Sequence, residues 1–199
     1  AFVLAITPGP DMALQLSRSL NYGRAHGIAT AIGEVGGVLV HTTLVALGIS
    51  VLIIAAPPLF LALKIVGAIY LIWLAIQTVR TKGGFRIAAA EAKKPTLWQS
   101  FWAGVMIDVL NPKVVLFFVT FLPQFIHPGE TNVPGKLFFL GVELMLVLLP
   151  VALAVVFSAD WLAKALTGSR RVQQALNWGF AGVFATFAAV ILTAQARHA

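Results

Sequence analysis

The sequence predicts an all-α, polytopic membrane protein in which six transmembrane helices form one bundle. Hydrophobic residues make up 59% of the 199 residues, and charged residues make up only 11%. A soluble domain carries about 25% charged residues, so this chain lacks the polar surface that water requires. Its apolar stretches reach the ~20 residues of a spanning helix, whereas barrel strands alternate over about 10 residues. The whole chain, residues 1–199, is therefore predicted to be a single transmembrane domain.

Polar and proline-rich interruptions divide the chain into six predicted spans. They cover residues 1–20, 27–55, 59–79, 97–125, 136–157 and 175–194, and residues 160–174 form an amphipathic connector. The most polar stretch, 80–96, separates two halves of three spans, 1–79 and 97–195. Since each half holds an odd number of spans, the second half enters the membrane from the opposite side. The two halves are thus predicted to be an inverted repeat, which rests on the order of features and not on residue identity.

Lysine and arginine are concentrated in the loops on one side of this topology. The loops 18–26, 80–96 and 160–174 carry most of them, whereas the opposite side holds only Lys136 and, at the edge of a span, Lys64. Basic residues accumulate on the cytoplasmic side of a membrane. The three basic loops are therefore predicted to be cytoplasmic, with both termini outside. The same distribution explains the net charge of +7, so we predict the lipid bilayer, and no nucleic acid, as the surroundings.

Two of the predicted spans are interrupted by proline. Pro8-Gly9-Pro10 interrupts the first span and Asn111-Pro112-Lys113 interrupts the fourth. Proline removes a backbone donor and clashes with the preceding turn, and broken backbone at membrane depth is tolerated only where it is buried or lines a cavity. A half-helix that starts near Asp11 presents free N–H groups suited to a carboxylate. We predict two substrate-binding turns; kinks that only shape packing are the alternative. Because the chain starts at Ala1, we also expect the first half-helix to be incomplete.

Each half carries one glutamate in the apolar surroundings of its second span, Glu34 in the first half and Glu143 in the second. A carboxylate at the centre of a membrane helix costs about 2.5–3.5 kcal/mol on insertion scales. Apolar surroundings favour the neutral form of a carboxyl group, which suits a proton carrier. Both glutamates are candidates for proton coupling, and the alternative is that each lies near an interface and is solvated.

Polar side chains also crowd the middle of the fourth span. Asp108 and Asn111 are three residues apart and share a helix face, and Lys113 follows the break, where it can pair with Asp108. A lining of the site and a structural ion pair that locks the kink are both open interpretations. His41 lies seven residues after Glu34 on nearly the same face and titrates near neutral pH. Asp108 and His41 join the proton-coupling candidates, although packing is the alternative role for the histidine.

Several classes of function have no support in the sequence. The chain has no cysteine, which excludes disulfides and thiolate metal sites. It contains no Ser-His-Asp set, phosphate-binding loop or convincing metal spacing, so no enzyme activity, cofactor or metal is predicted. The spacing of Gly23, Gly27, Gly33 and Gly37 allows helices to approach closely. Packing within one chain is the first interpretation of these glycines, and a homodimer seam is the alternative.

Taken together, these motifs resemble the LysE/RhtB family of amino-acid exporters over essentially the whole chain. The motifs that carry the resemblance are Pro8-Gly9-Pro10, the glycine-rich second span through Gly48, Val66-Gly67-Ala68-Ile69-Tyr70-Leu71, and above all Asn111-Pro112-Lys113 followed by Phe117-Phe118 and Phe121-Leu122-Pro123-Gln124-Phe125. Gln124 joins the candidate substrate-binding residues through this block. One departure is Ala75, where the family often has glycine.

The resemblance implies a carrier of the bacterial-type inner membrane that expels amino acids or related metabolites, driven by the proton gradient. Under this hypothesis the two broken turns meet near the midplane and hold the amino-acid backbone, and the protein works as an antiporter with alternating access. The amino acid itself is left open, because substrates vary within the family. A passive channel, a membrane scaffold without transport activity, and a metal-ion carrier of related fold are the alternatives.

Overall fold

The computed structural model describes residues 5–7, 9–80, 87–90, 93–127, 130–168 and 170–196. All regular structure in this part of the chain is helical. The helices are α1 (Pro10–Tyr22), α2 (Arg24–Leu44) with a π-helical turn (Val45–Ile49), α3 (Ser50–Ala55), α4 (Pro57–Arg80), α5 (Leu97–Val109), α6 (Pro112–Leu116) with a second π-helical turn (Phe117–Phe121) and a 3-10 turn (Leu122–Phe125), α7 (Val133–Phe157), α8 (Ala159–Thr167) and α9 (Arg170–Ala196).

Within the described residues, three helices are long and apolar enough to cross a membrane: Arg24–Ile49, Pro58–Arg80 and Val133–Phe157. A fourth candidate is the pair α5 and α6, which is bent by 49° and counts as one span if the chain crosses only once there. The apolar part of α9, Asn177–Ile191, is shorter, and α1 has 13 residues. The prediction of an all-helical membrane protein is confirmed, while six spans in two repeats remain a prediction.

Helix α5 begins with a capping box formed by Thr96 and Gln99. The Thr96 hydroxyl accepts a hydrogen bond from the Gln99 N–H at 3.1 Å, and the Gln99 side chain accepts one from the Thr96 N–H at 2.8 Å. These two bonds satisfy backbone donors that the first turn of a helix otherwise leaves free. The cap therefore fixes the start of the helix that carries Asp108.

Replacing Thr96 with alanine is expected to lower the stability of the protein by about 1 kcal/mol, the usual cost of losing an N-cap. For a chain of this size that loss lowers the melting temperature by roughly 2–4 °C. Thermal unfolding in detergent, followed by circular dichroism, measures the shift. Thr186→Ala is the matched control, because the Thr186 hydroxyl donates only to a carbonyl of its own helix, that of Gly182. Equal melting temperatures for the two variants would contradict the role given to the cap.

The central contact of the bundle is the crossing of α2 and α5, where two glycines bring the backbones together. A Cβ atom on Gly33 would lie 2.0 Å from the carbonyl oxygen of Phe101, and one on Gly104 would lie 2.2 Å from that of Thr30. Small residues give membrane helices this kind of close approach. Gly33 therefore serves packing within the chain. Gly179 and Gly182 of α9, by contrast, have no atom of the described residues within 4 Å of an added Cβ.

The remaining helices pack around this crossing. Helix α2 also contacts α1 and α7, and α9 lies along α4. The α4–α9 contact is apolar, with Ala68 and Leu71 of α4 against Ala188 and Ile191 of α9. The site described below lies on the other side of the bundle, between α1, α2, α5 and α7.

A short segment of the predicted cytoplasmic linker, residues 87–90, packs on the end of α1. The carbonyl oxygen of Ala88 accepts hydrogen bonds from the Ser17 hydroxyl at 3.1 Å and from the Asn21 amide at 2.9 Å. Beside it, Ile87 packs against an apolar cluster of α1, α7 and α8 that includes Met12 and Val155. The linker is thus attached to the first helix at a defined position.

Candidate functional site

The break in the fourth predicted span is built by Asn111 and Pro112. The N–H of Asn111 donates to the Asp108 carbonyl at 3.0 Å, which closes the last turn of α5. The Asn111 side chain then accepts from the N–H of Lys113 at 3.1 Å and caps α6. Pro112 takes the first helical position, where its missing N–H is not needed. The predicted break is confirmed, and it turns the chain by 49°.

The break in the first predicted span ends at Pro10, the first residue of α1. Gly9 is extended, with φ of −153° and ψ of −171°, and its carbonyl accepts from the N–H of Ala13 at 3.0 Å. Thr7 is buried just before the turn. Pro8 lies outside the described residues, so the break is established at Gly9 and Pro10.

The two breaks contact each other through Lys113. Its Nζ atom donates to the carbonyl oxygen of Thr7 at 3.1 Å and forms an ion pair with Oδ2 of Asp11, also at 3.1 Å. The backbone at Gly9 approaches the same ammonium group, since a Cβ there would lie 3.2 Å from Nζ. Lys113 is therefore a cross-link between the broken ends of two helices that are about a hundred residues apart in sequence.

The sequence-based pairing of Lys113 with Asp108 is therefore corrected. The carboxylate that Lys113 contacts belongs to Asp11. The physical reason is the bend at Pro112, because it directs the first turn of α6 toward the start of α1. Asp108 remains on α5, on the other side of the break, where it faces α2.

A small cavity lies next to this cross-link, between α1, α2, α5 and α7. Its volume is about 40 Å³, and since one water molecule needs about 10–15 Å³, it has room for about three. Acidic and amide side chains form one side, and aliphatic side chains form the rest. The polar lining residues are Asp11, Gln15, Glu34 and Asp108, and the apolar ones are Ala5, Met12, Ala31, Val35, Val38, Leu148, Ala152 and Val155.

The buried acids of this cavity have oxygen atoms without hydrogen-bond partners. Glu34 accepts a hydrogen bond from the Gln15 amide through Oε2, whereas its Oε1 has no partner among the described residues. The same holds for Oδ2 of Asp108 and Oε1 of Gln15. Buried polar atoms are nearly always hydrogen-bonded, and leaving one unpaired costs about 1–3 kcal/mol. The cavity therefore favours a guest that donates hydrogen bonds, such as a proton, a water molecule or an ammonium group.

Two residues of helix α2 that lie one turn apart, Gly37 and His41, pack against Asp108. A Cβ on Gly37 would lie 2.6 Å from Oδ2 of Asp108, so glycine makes room for the carboxyl group. One turn further on, Nε2 of His41 lies 3.3 Å from the Asp108 carbonyl oxygen, and the imidazole ring stacks on Phe118 with 5.5 Å between centroids. His41 thus contacts the break without lining the cavity.

Glu143 does not line the cavity, and its role in proton coupling stays a prediction. It is exposed on the surface of α7, nine residues before Ala152, which lines the cavity. Nine residues are about two and a half helical turns, so the two side chains point to opposite sides of the helix. The face of α7 that meets α2 carries Gly141 instead, against the side chain of Thr42.

Two further predicted residues also lie away from the cavity, and one site residue was not predicted. Gln124 donates to the carbonyl of Thr120, one turn back, at 3.2 Å, and Pro10 is exposed. The residue that sequence reasoning missed is Gln15, which binds Glu34. Its signal was available, since Gln15 lies four residues after Asp11 and therefore on the same helix face.

Among the described residues, no three His, Cys, Asp or Glu side chains are arranged to hold a metal ion. Three oxygen atoms of the cavity, on Glu34, Asp108 and Gln15, lack a hydrogen-bond donor among the described residues.

Comparisons with known proteins show to which family the chain belongs. The family description "LysE type translocator" matches residues 2–195. The chain is 30% identical to the homoserine/homoserine lactone efflux protein of Salmonella typhimurium over 99% of this chain and 93% of that protein. It is 28% identical to the leucine efflux protein of Enterobacter sp. (95% and 90%) and 32% identical to the membrane protein YrhP of Bacillus subtilis (85% and 84%). No solved structure matches.

Proposed function

Because the chain belongs to the family of LysE type translocators, we propose that it exports a small amino acid or a related metabolite across the cytoplasmic membrane. The export is driven by protons that move in the opposite direction, by alternating access. Relatives named for the efflux of homoserine, homoserine lactone and leucine support an amino-acid cargo. The observation that carries the proposal is the pair of broken helices, joined by Lys113 beside a cavity with unpartnered acid oxygens.

In this proposal each end of the amino acid has a group of matching chemistry. The free N–H groups at the start of α1, near Asp11, receive the carboxylate, since a helix N-terminus attracts negative charge. The unpartnered oxygens of Glu34 and Asp108 receive the ammonium group in one step and a proton in the other. Aliphatic residues of α2 and α7 then surround the side chain. Asn111, Pro112 and Lys113 hold the turn that keeps these groups in place.

Transport requires this cavity to change size. At about 40 Å³ it has room for water, whereas pockets for small molecules occupy about 300–1,000 Å³. The structure is therefore assigned to a closed state of the cycle, and opening toward one side of the membrane creates the space for the cargo. A passive channel would need a continuous polar path, which a small cavity with a largely aliphatic lining does not favour.

We assign the predicted topology to this carrier. Six spans form two inverted halves, 1–79 and 97–195, with the loops 18–26, 80–96 and 160–174 in the cytoplasm and both termini outside. The excess of lysine and arginine in these loops supports the orientation. The two broken helices, one in each half, support the repeat, because transporter sites form where such helices meet.

Neutralising the cavity acids is expected to separate cargo binding from proton coupling. In proteoliposomes that contain the full-length protein and radiolabelled homoserine or leucine, Glu34→Gln and Asp108→Asn should each reduce transport driven by a pH gradient at least tenfold. Exchange of labelled for unlabelled cargo at equal pH, which needs no net proton movement, should persist in at least one of the two variants. The amide keeps the size of the side chain and removes its ability to ionise.

Glu130→Gln is the matched control, since Glu130 pairs with Lys136 outside the cavity and its loss should leave transport unchanged. If both cavity variants keep full proton-driven transport, the coupling role of these acids is wrong. If the wild-type protein shows a flux that neither saturates nor responds to the pH gradient, a channel replaces the carrier.

A further inference from the structure

Three aromatic side chains form a stacked cluster in the first turns of α5. Trp98 stacks on Phe101 with 5.2 Å between ring centroids, and Trp102 meets both rings edge-on, at 5.6 Å from each. Phe101 packs toward α2, where a Cβ on Gly36 would lie 3.8 Å from its ring, whereas Trp98 and Trp102 are exposed. Tryptophan is enriched at membrane–water interfaces. The start of α5 therefore lies at the level of the lipid headgroups.

Exposed basic residues lie at the same end of the bundle. Lys93 and Lys94 directly precede α5, and both are exposed. The contact between Nδ1 of His26 and Oγ of Ser100, at 3.0 Å, joins the start of α2 to the start of α5, and the exposed Arg24 lies two residues before that histidine. None of the three cations takes part in an ion pair between described residues. This end of the bundle thus presents positive charge beside its tryptophans.

An exposed apolar ridge runs from the aromatic cluster toward the bend after α5. Its members are four residues apart: Trp98, Trp102, Met106 and Leu110, which are 65%, 47%, 48% and 70% exposed. Residues at this spacing form one continuous row that is inclined to the helix axis. Twelve residues of helix extend over about 18 Å, and one leaflet is half of the ~30 Å hydrocarbon core. The ridge therefore has about the length of one leaflet.

The ridge ends at a groove between α4 and the bend that joins α5 to α6. The groove has a volume of about 430 Å³, which is within the range of about 300–1,000 Å³ for small-molecule pockets. Leu110 belongs to both the ridge and the groove, and the other lining residues include Leu63 and Val66 of α4 and Val115 and Val119 after the bend. An almost wholly apolar groove at this depth suits a hydrocarbon chain.

We propose that an anionic phospholipid occupies this surface. Its phosphate contacts Lys93 and Lys94, its glycerol region lies against Trp98 and Trp102, and one acyl chain follows the ridge into the groove. A lipid is the occupant because the surface continues from headgroup level through one leaflet, and basic residues next to a membrane helix attract anionic headgroups. A second copy of the chain placed on this surface would bring like charges together. The proposal does not depend on the cargo.

Quenching of tryptophan fluorescence by brominated lipids tests this site in the full chain. Trp73, Trp161 and Trp178 are replaced with phenylalanine, so that only Trp98 and Trp102 report. In phosphatidylcholine vesicles, dibrominated phosphatidylglycerol should bind at the reporting tryptophans at least tenfold more tightly than dibrominated phosphatidylcholine with the same chains. Native mass spectrometry of the unaltered protein, equilibrated with equal amounts of both lipids, should likewise retain phosphatidylglycerol in excess. Equal binding of the two lipids in either measurement would overturn the proposal.

Charge variants distinguish a defined site from the general attraction of a basic protein. Lys93→Gln combined with Lys94→Gln should reduce the preference for phosphatidylglycerol to less than threefold, and the corresponding arginine variant should keep it. Lys164→Gln combined with Arg171→Gln is the matched control, because it removes two exposed charges from another basic loop and should leave the preference unchanged. Size-exclusion chromatography checks that each variant is folded. An equal loss of preference in the two glutamine pairs would show that overall charge, and no defined site, attracts the lipid.

Discussion

Replacing Gly33 with alanine is expected to prevent the bundle from assembling correctly. The added Cβ would lie 2.0 Å from the Phe101 carbonyl oxygen, and the nearest atoms belong to the backbone of α5. A backbone cannot rotate away as a side chain can, so the two helices must separate along their whole contact. Overpacking of this kind costs about 1–3 kcal/mol and more where nothing yields, against a total stability of about 5–15 kcal/mol.

The measurement is the yield of monodisperse protein in detergent, together with its melting temperature. Gly104→Ala should be equally harmful, because it introduces the same clash from the other helix, with Thr30. Gly179→Ala is the control, since an added Cβ there meets no described atom within 4 Å and alanine favours a helix by about 1 kcal/mol over glycine. A Gly33→Ala protein as stable as Gly179→Ala would show that the helices do not cross as described.

Replacing Lys113 with methionine is expected to abolish transport and to destabilise the protein. Its ion pair with Asp11 is partly buried, with side-chain exposures of 7% and 21%. Removing one member costs at most about 3–5 kcal/mol, the value for a fully buried pair, because the other charge is left unpaired. The variant also loses the bond to the Thr7 carbonyl, so both broken helices lose their shared anchor. We expect at least a hundredfold loss of cargo exchange in proteoliposomes.

Two further variants separate stability from function in this test. Asp11→Asn combined with Lys113→Met removes both charges, so it should regain stability while transport stays lost. Lys136→Met is the control, because its pair with Glu130 is 29% and 27% exposed and such pairs contribute about 0–1 kcal/mol. Normal cargo exchange in Lys113→Met would contradict the role of the cross-link.

Local chemistry explains which features of the fold could be predicted from the sequence. Long apolar stretches specify membrane helices without reference to tertiary structure, and the breaks at Gly9-Pro10 and Asn111-Pro112 follow from the backbone requirements of proline. The predicted connector 160–174 agrees in part: its first residues form α8, which ends at Thr167, and residues 170–174 already belong to α9. Local chemistry alone does not establish six spans in two inverted halves, because the described α1 and the apolar part of α9 are short.

Contacts between distant parts of the chain could not be predicted from local chemistry. Glu34 and Glu143 lie in similar apolar surroundings, yet one faces the cavity and the other the surface, because the rotation of each helix is fixed by its neighbours. Close contacts at Gly33 and Gly37 fix the rotation of α2, and a close contact at Gly141 fixes that of α7. The partner of Lys113 was missed for the same reason: the bend at Pro112 selects Asp11, and a bend direction is not encoded in the motif.

The attachment of the linker at Ala88 places residues 87–90 against an apolar cluster that also forms part of the cavity wall. Ile87 packs against the apolar cluster that contains Met12 and Val155, and these two residues also line the cavity. The two hydrogen bonds to the Ala88 carbonyl contribute about 0.5–1.5 kcal/mol each. A displacement of the segment 87–90 would therefore remove contacts from the apolar cluster to which part of the cavity wall belongs.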